Sequence, residues 1–351
     1  MLRDFDEHRA HRGIMQAAFK RSCMDGYLQS MLPLISHGIS EWGHSGPFYF
    51  FPHIQRLTLD LAAGAFLGEP AGAQANILAN AFTHVVDAIS AVVRVPVPGL
   101  KLGKAVKGRG LISDYLRSRI GQRRLGSGTD LFSQMCRARS EAGEILTDQE
   151  IIDHMIFLLF AAHDTTTAAM TSMLWGITAH PEWQEQMRAE VFAVGGRDHL
   201  FSCEDLEKMP TTEWALKEAL RMHPPVPVYM RKTVKPTTFK EHAIPSGTPI
   251  FICPSFTHRM PAWWTSPETF DPARFGPTRA EHKRHPYQWI PFGGGAHMCI
   301  GLQFAYMQVK AIVFQMLHRY RFRVEPGYRV RYQQMPLPKP RDGLKLVLER
   351  L

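Results

Sequence analysis

The run MIFLLFAA, Met155 to Ala162, is apolar on every helical face, which marks a helix passing through the middle of a domain. Ahead of it Thr147 and Glu150 have the spacing of a capping box, and behind it His180-Pro181 closes the run, because proline disfavours helix in the preceding residue. The segment between these signals is about 32 residues, a helix of ~48 Å at 1.5 Å per residue. A second periodic segment begins near Cys299, with Leu302, Ala305, Val309, Ile312 and Met316 on one face. After Pro224-Pro225 the pattern changes, and VYMRKTV, PIFICPS and GLKLVLER read as short strands between proline and glycine turns. The order is many helices, a small β region and one more long helix. It predicts a mainly α fold with a small β region, as one domain over 1–351 that is helix-rich over 1–225 and mixed over 226–351.

Composition narrows the class. The 351 residues are 45% hydrophobic, enough for a sizeable core, and contain no 20-to-50-residue repeat or low-complexity tract. Five scattered cysteines without a CxxC pair argue against a disulfide framework or structural zinc and for a reducing compartment. No signal-peptide pattern opens the sequence, and no unbroken apolar run approaches the roughly 20 residues that span a bilayer. The net charge is +9, with basic clustering in RDFDEHRAHRGIMQAAFKR. That segment reads either as a docking face for an acidic partner such as an electron carrier, or as an ordinary solvated helix face. Without a recognised motif or a basic stripe interleaved with aromatics, nucleic acid is not an expected partner.

The densest chemistry lies in WIPFGGGAHMCIG. Gly293, Gly294 and Gly295 permit backbone conformations and close approaches that side chains block. Cys299 then enters a helix, where free N–H groups and the dipole favour a thiolate. A planar ligand lying on the glycine backbone with the sulfur on its metal satisfies this pattern; a glycine turn before a buried cysteine satisfies part of it. The full spacing of Phe292, Gly295, His297, Cys299 and Gly301 resembles the haem-binding loop of the cytochrome P-450 superfamily, F-x-x-G-x-[RH]-x-C-x-G.

Further segments carry the same resemblance in family order. AAHDTT, Ala161 to Thr166, is similar to the oxygen-activation motif, with Ala162 where many members have glycine. Asp and Thr are unfavourable in a helix interior, so the run needs a local reason. Glu218 and Arg221, three apart on EWALKEALR, together with Arg274 in FDPARF resemble the E-x-x-R and P-x-R-F motifs.

The resemblance implies a cytochrome P-450 fold lacking part of its N-terminal segment, and a haem-thiolate monooxygenase using haem b. Cys299 would be the iron ligand. Thr165 would hydrogen-bond the bound dioxygen and Asp164 would feed its proton relay. Phe292, Gly295, Gly301 and Ala161 would contact the cofactor, and His297, Arg231, His8 and Arg12 would hold its carboxylates. Glu218, Arg221 and Arg274 would be structural. Two electrons would arrive from a ferredoxin- or flavoprotein-type donor, since no GxGxxG or flavin segment is present in the chain. The substrate would be an apolar small molecule; PARF and DTT lie nearer the sterol- and terpenoid-oxidising branches. The family default is a monomer, cytoplasmic or peripheral at a membrane surface, where the apolar and basic segment AVVRVPVPGLKLGKAVKGRG would touch lipid or serve as a simple interhelical loop. The alternative is a haem-binding protein or degenerate fragment without turnover, motivated by the short N-terminal side and by Ala162.

Overall fold

A computed structural model describes residues 3–43, 47–69, 73–88, 91–140, 143–334 and 337–351. Eleven α-helices are described: α1 (Phe5–Ala17), α2 (Arg21–Ser40), α3 (Phe50–Ala62), α4 (Ala73–Asp87), α5 (Lys101–Leu125), α6 (Leu131–Arg137), α7 (Asp148–Ala179), α8 (Pro181–Val194), α9 (Pro210–Met222), the single turn α10 (Pro254–Thr257) and α11 (Leu302–Arg319). Nine short strands accompany them: β1 (Phe48–Tyr49), β2 (Tyr229–Lys232), β3 (Thr237–Phe239), β4 (His242–Ile244), β5 (Pro249–Ile252), β6 (Tyr320–Arg323), β7 (Tyr332–Gln333), β8 (Lys339–Pro340) and β9 (Lys345–Arg350). They form one three-stranded sheet, β1-β9-β6, and the antiparallel pairs β2-β5, β3-β4 and β7-β8. The mainly helical expectation with a small β region holds.

The central helix forms for the reasons its ends announce. Thr147 accepts from the Glu150 N–H while Glu150 accepts from the Thr147 N–H, so both members of the capping box are satisfied, and Pro181 starts α8 immediately after the break. The 32 residues of α7 pack against α3, α5, α9 and α11. Its threonines return their hydroxyls to the preceding turn: Thr165 to Ala161 O, Thr167 to His163 O, Thr171 to Thr167 O and Thr178 to Leu174 O. Such back-bonding is how hydroxyl side chains are accommodated inside a helix.

The helix after the cysteine begins at Leu302, three residues beyond Cys299, with Gly301 at its N-cap. The helical run Gly295–Arg319 is long and apolar enough to cross a membrane, although Gln303 and Lys310 break the uninterrupted apolar run that a sequence scan seeks. Its apolar residues face inward: Phe304, Met307, Val309, Ile312 and Met316 are all buried, which makes α11 a core helix. The α4–α5 pair comes together at Gly108, where a Cβ would fall 2.4 Å from Ala81 O, so a side chain there would force the two backbones apart.

Candidate functional site

Backbone hydrogen bonds close the cysteine loop upon itself. Cys299 N–H donates to Phe292 O at 2.9 Å, Met298 N–H to Gly295 O at 3.0 Å and Gly293 N–H to Ile290 O at 3.1 Å. Gly293 and Gly295 sit at φ +74° and +71°, the left-handed region where only glycine is comfortable. Phe292 packs its ring between Trp289 and Tyr306 and so anchors one side of the loop in the core. Cys299 is a free thiol whose own surface is accessible, yet protein surrounds it closely enough that burial pushes its pKa above the ordinary range. A hydrogen bond from the Gly301 N–H and the Arg12 guanidinium pull the other way without prevailing. These two groups favour the anionic sulfur expected from the helix entrance while burial opposes it, and metal binding would displace the remaining proton.

Two other elements meet this loop. On α1 the His8 ring stacks on His297, centroids 3.9 Å apart, and Asp4 Oδ1 lies 3.3 Å from His297 Nε2. One turn further, His11 Nδ1 lies 2.8 Å from His154 Nε2 on α7. Arg3 donates to His11 Nε2 at 3.0 Å, so His11 carries its proton on Nδ1 and donates it to His154. Helix α1 therefore ties the cysteine loop to the central helix. Strand β2 is the second tie, because Tyr229 on it touches the loop backbone.

On α7, Asp164 is mostly buried, with Oδ1 3.0 Å from His163 Nδ1, close but not aligned as a hydrogen bond. His163 Nε2 is 3.1 Å from Gln55 O, which can only accept, so that nitrogen carries the hydrogen. Ala161, Ala162, Asp164 and Thr165 are half-buried in a stretch where Thr166 to Leu174 are wholly buried. The sequence reading placed Asp164 and Thr165 here but missed His163, whose partner lies 108 positions away.

Behind the loop, Glu218, Arg221 and Arg274 are fully buried. Glu218 accepts from Arg221 Nε at 2.7 Å and Nη2 at 2.9 Å, from Arg274 Nε at 3.0 Å and from the Asp271 N–H at 2.9 Å. Arg221 Nη1 donates to His258 O at 2.8 Å, and the His258 ring accepts the Ile290 N–H at 3.0 Å, two residues before Phe292. The Glu-Arg spacing that reads on paper like a surface pair is instead the support beneath the cysteine loop.

These residues fit a flat metal macrocycle bearing two carboxylates. A free accessible thiol sits beside a glycine backbone, and a Cβ built on Gly295 would meet no atom within 4 Å. Among the described residues no carboxylate pairs with Arg12 or with the exposed Arg231, whose guanidinium bonds only to Met230 O. Arginine suits carboxylates because its fork binds them bidentately. Residues 71–347 match the family model described as cytochrome P450. A putative cytochrome P450 136 from Mycobacterium tuberculosis is 39% identical over 354 residues, covering 99% of this chain and 72% of that protein. A putative cytochrome P450 120 from Synechocystis is 29% identical, covering 98% and 77%. The solved structure of cyanobacterial CYP120A1 with retinoic acid bound superposes with a TM-score of 0.88 at 29% identity, covering 99% of this chain and 79% of that one.

Proposed function

The chain belongs to the cytochrome P450 family and is a haem-thiolate monooxygenase with haem b as cofactor, and from that premise we propose that Cys299 ligates the iron while Asp164 and Thr165 manage the protons of oxygen activation. The observation that carries this reading is the accessible Cys299 thiol on a glycine-bordered loop, with Arg12 close enough to act on it electrostatically. When bound, haem b supplies the reductive splitting of dioxygen and the transfer of one oxygen atom to substrate. Cys299 holds the metal, Arg12, Arg231, His8 and His297 take the carboxylates, and Phe292, Gly295, Gly301 and Ala161 form the walls. Thr165 Oγ1 donates to Ala161 O at 2.6 Å and keeps lone pairs to accept a hydrogen bond, and Asp164, whose Oδ1 lies 3.0 Å from His163 Nδ1, would hold the proton.

Family membership brings a redox partner and a lipophilic substrate in general. For this chain we place the donor in the ferredoxin or flavoprotein class and the substrate among isoprenoid lipids. The retinoic acid of the CYP120A1 structure supports that choice, as do the half-buried Phe157 and Phe160 on α7. The protein acts as a cytoplasmic monomer. The exposed Val92, Val95, Val97 and Leu100 beside the exposed Arg94, Lys101, Lys104 and Lys107 support peripheral contact with a membrane surface.

Retinoic acid added to the holoprotein is expected to perturb the haem absorption band saturably. With that substrate, Thr165→Ala is expected to bind as the wild type does and still consume oxygen, while product falls by roughly 10²-fold or more, the scale of a lost proton-transfer group. Peroxide release would rise in step. Unchanged product and peroxide would remove Thr165 from the proton path.

A further inference from the structure

Strand β2 carries two side chains that the function so far uses unequally. Arg231 has been assigned to a haem carboxylate, whereas Tyr229, two residues earlier and so on the same face of the strand, has no role in it. Its hydroxyl donates to Ile290 O at 2.7 Å and accepts the Gly293 N–H at 3.1 Å. One oxygen therefore grips both ends of the turn 290–293 that leads into the cysteine loop. The turn closes with its own bond from Gly293 N–H to Ile290 O, and Gly293 is one of the two loop glycines in the left-handed region. From the other side the His258 ring accepts the Ile290 N–H. The peptide groups of Ile290 and Gly293 are thus held by side chains from two separated parts of the chain.

Both grips are chemically permanent at ordinary pH. Burial raises the Tyr229 hydroxyl to about 12, so it remains both donor and acceptor. Burial lowers His258 to about 3, so its Nε2 lone pair stays available. The strand itself is held by pairing with β5, Tyr229 opposite Ile252 and Arg231 opposite Ile250.

We propose that Tyr229 is a positioning residue that sets the register between Cys299 and Arg231, so that the sulfur and the carboxylate-binding guanidinium reach one flat ligand from a single rigid frame. Phe292, the residue before Gly293, supplies the carbonyl that accepts the Cys299 N–H. A shift of the turn therefore passes to the sulfur through one backbone hydrogen bond. The proposal rests on Cys299 and Arg231 as cofactor contacts.

The test is Tyr229→Phe in the haem-loaded full chain, which removes the hydroxyl and keeps the ring. Its reduction potential is expected to shift, and part of the reduced carbon monoxide complex is expected to lose the red-shifted Soret band of thiolate ligation. Amide exchange at Gly293 is expected to quicken about tenfold, the scale of one lost hydrogen bond. A role in stability alone would lower the unfolding temperature and leave potential and band unchanged, which would overturn the proposal. Wild-type protein gives an independent reading that needs no variant: rapid exchange of the Gly293 amide would also overturn it. Cys299→Ser separates the premise from the proposal, because a red-shifted band retained in that variant removes the ligand assignment whatever Tyr229→Phe does.

Discussion

Glu218→Gln is expected to lower stability by about 3–5 kcal/mol, the penalty for leaving buried charge uncompensated. Glu218 is fully buried and accepts four hydrogen bonds, three from guanidinium nitrogens and one from the Asp271 N–H. A glutamine keeps the shape but removes the charge, and its amide turns a donor towards Arg221 or Arg274. Arg274 retains Glu281 at 3.2 Å, whereas Arg221 would keep only the carbonyls of His258 and Thr269. Against a total stability of about 5–15 kcal/mol the loss is severe. A thermal midpoint roughly 6–10 °C lower is expected at about 2 °C per kcal/mol. Arg56→Ala, which opens the exposed Arg56–Asp60 pair, should cost under about 1 kcal/mol and serves as the comparison. Since Arg221 also holds the carbonyl of His258, whose ring holds Ile290, the Glu218 variant that survives should bind haem poorly as well.

Acid is expected to destabilise the protein well before its carboxylates titrate. Burial lowers the pKa of His154 to about 4 and that of His258 to about 3, in both cases the largest cause. In the unfolded chain these rings take up protons near their ordinary value of about 6.5, whereas in the fold they resist until pH 3–4. Unfolding therefore binds protons, and stability is complete above about pH 6.5 and falls as the pH drops towards 4. Two units below the ordinary value each ring has cost roughly 2.7 kcal/mol, at 1.36 kcal/mol per unit. Protonating His154 also sets two N–H groups of the His11–His154 contact against each other, so α1 should loosen from α7 first. Denaturation midpoints of the holoprotein between pH 7 and 4.5 measure the fall. In His154→Asn the curve should flatten by about a quarter, because burial lowers His223 to about 3 and His282 to about 4 as well; equal slopes in variant and wild type would contradict the assignment.

The parts of the fold legible in the sequence are those whose signals are local. A capping box and a proline mark α7 because both act within one helical turn, and the cysteine loop stands out because glycines, an aromatic and a cysteine recur at fixed short intervals. Depth was less legible. Glu218 and Arg221 have the spacing of any exposed helix pair, and only Arg274, 56 positions beyond Glu218, buries them. Tyr229, His258 and His163 were missed because their partners lie 64, 32 and 108 positions away, with no periodicity to announce them. For Tyr229 a weak signal exists: strand alternation puts it on the same face as Arg231, so any residue contacting the cysteine loop from β2 had to be that one. For Cys299 the N–H groups that favour a thiolate are local and legible, whereas the burial that opposes them comes from the whole chain.

The most direct test of the account is the absorption spectrum of the purified, reduced protein under carbon monoxide, recorded beside Cys299→Ser. A strongly red-shifted Soret band in the wild type that vanishes in the variant is the predicted result, because only an anionic sulfur on the iron produces it. Haem bound without that band in the wild type, or the same band in both proteins, would contradict Cys299 as the ligand and with it the assignment of the surrounding site.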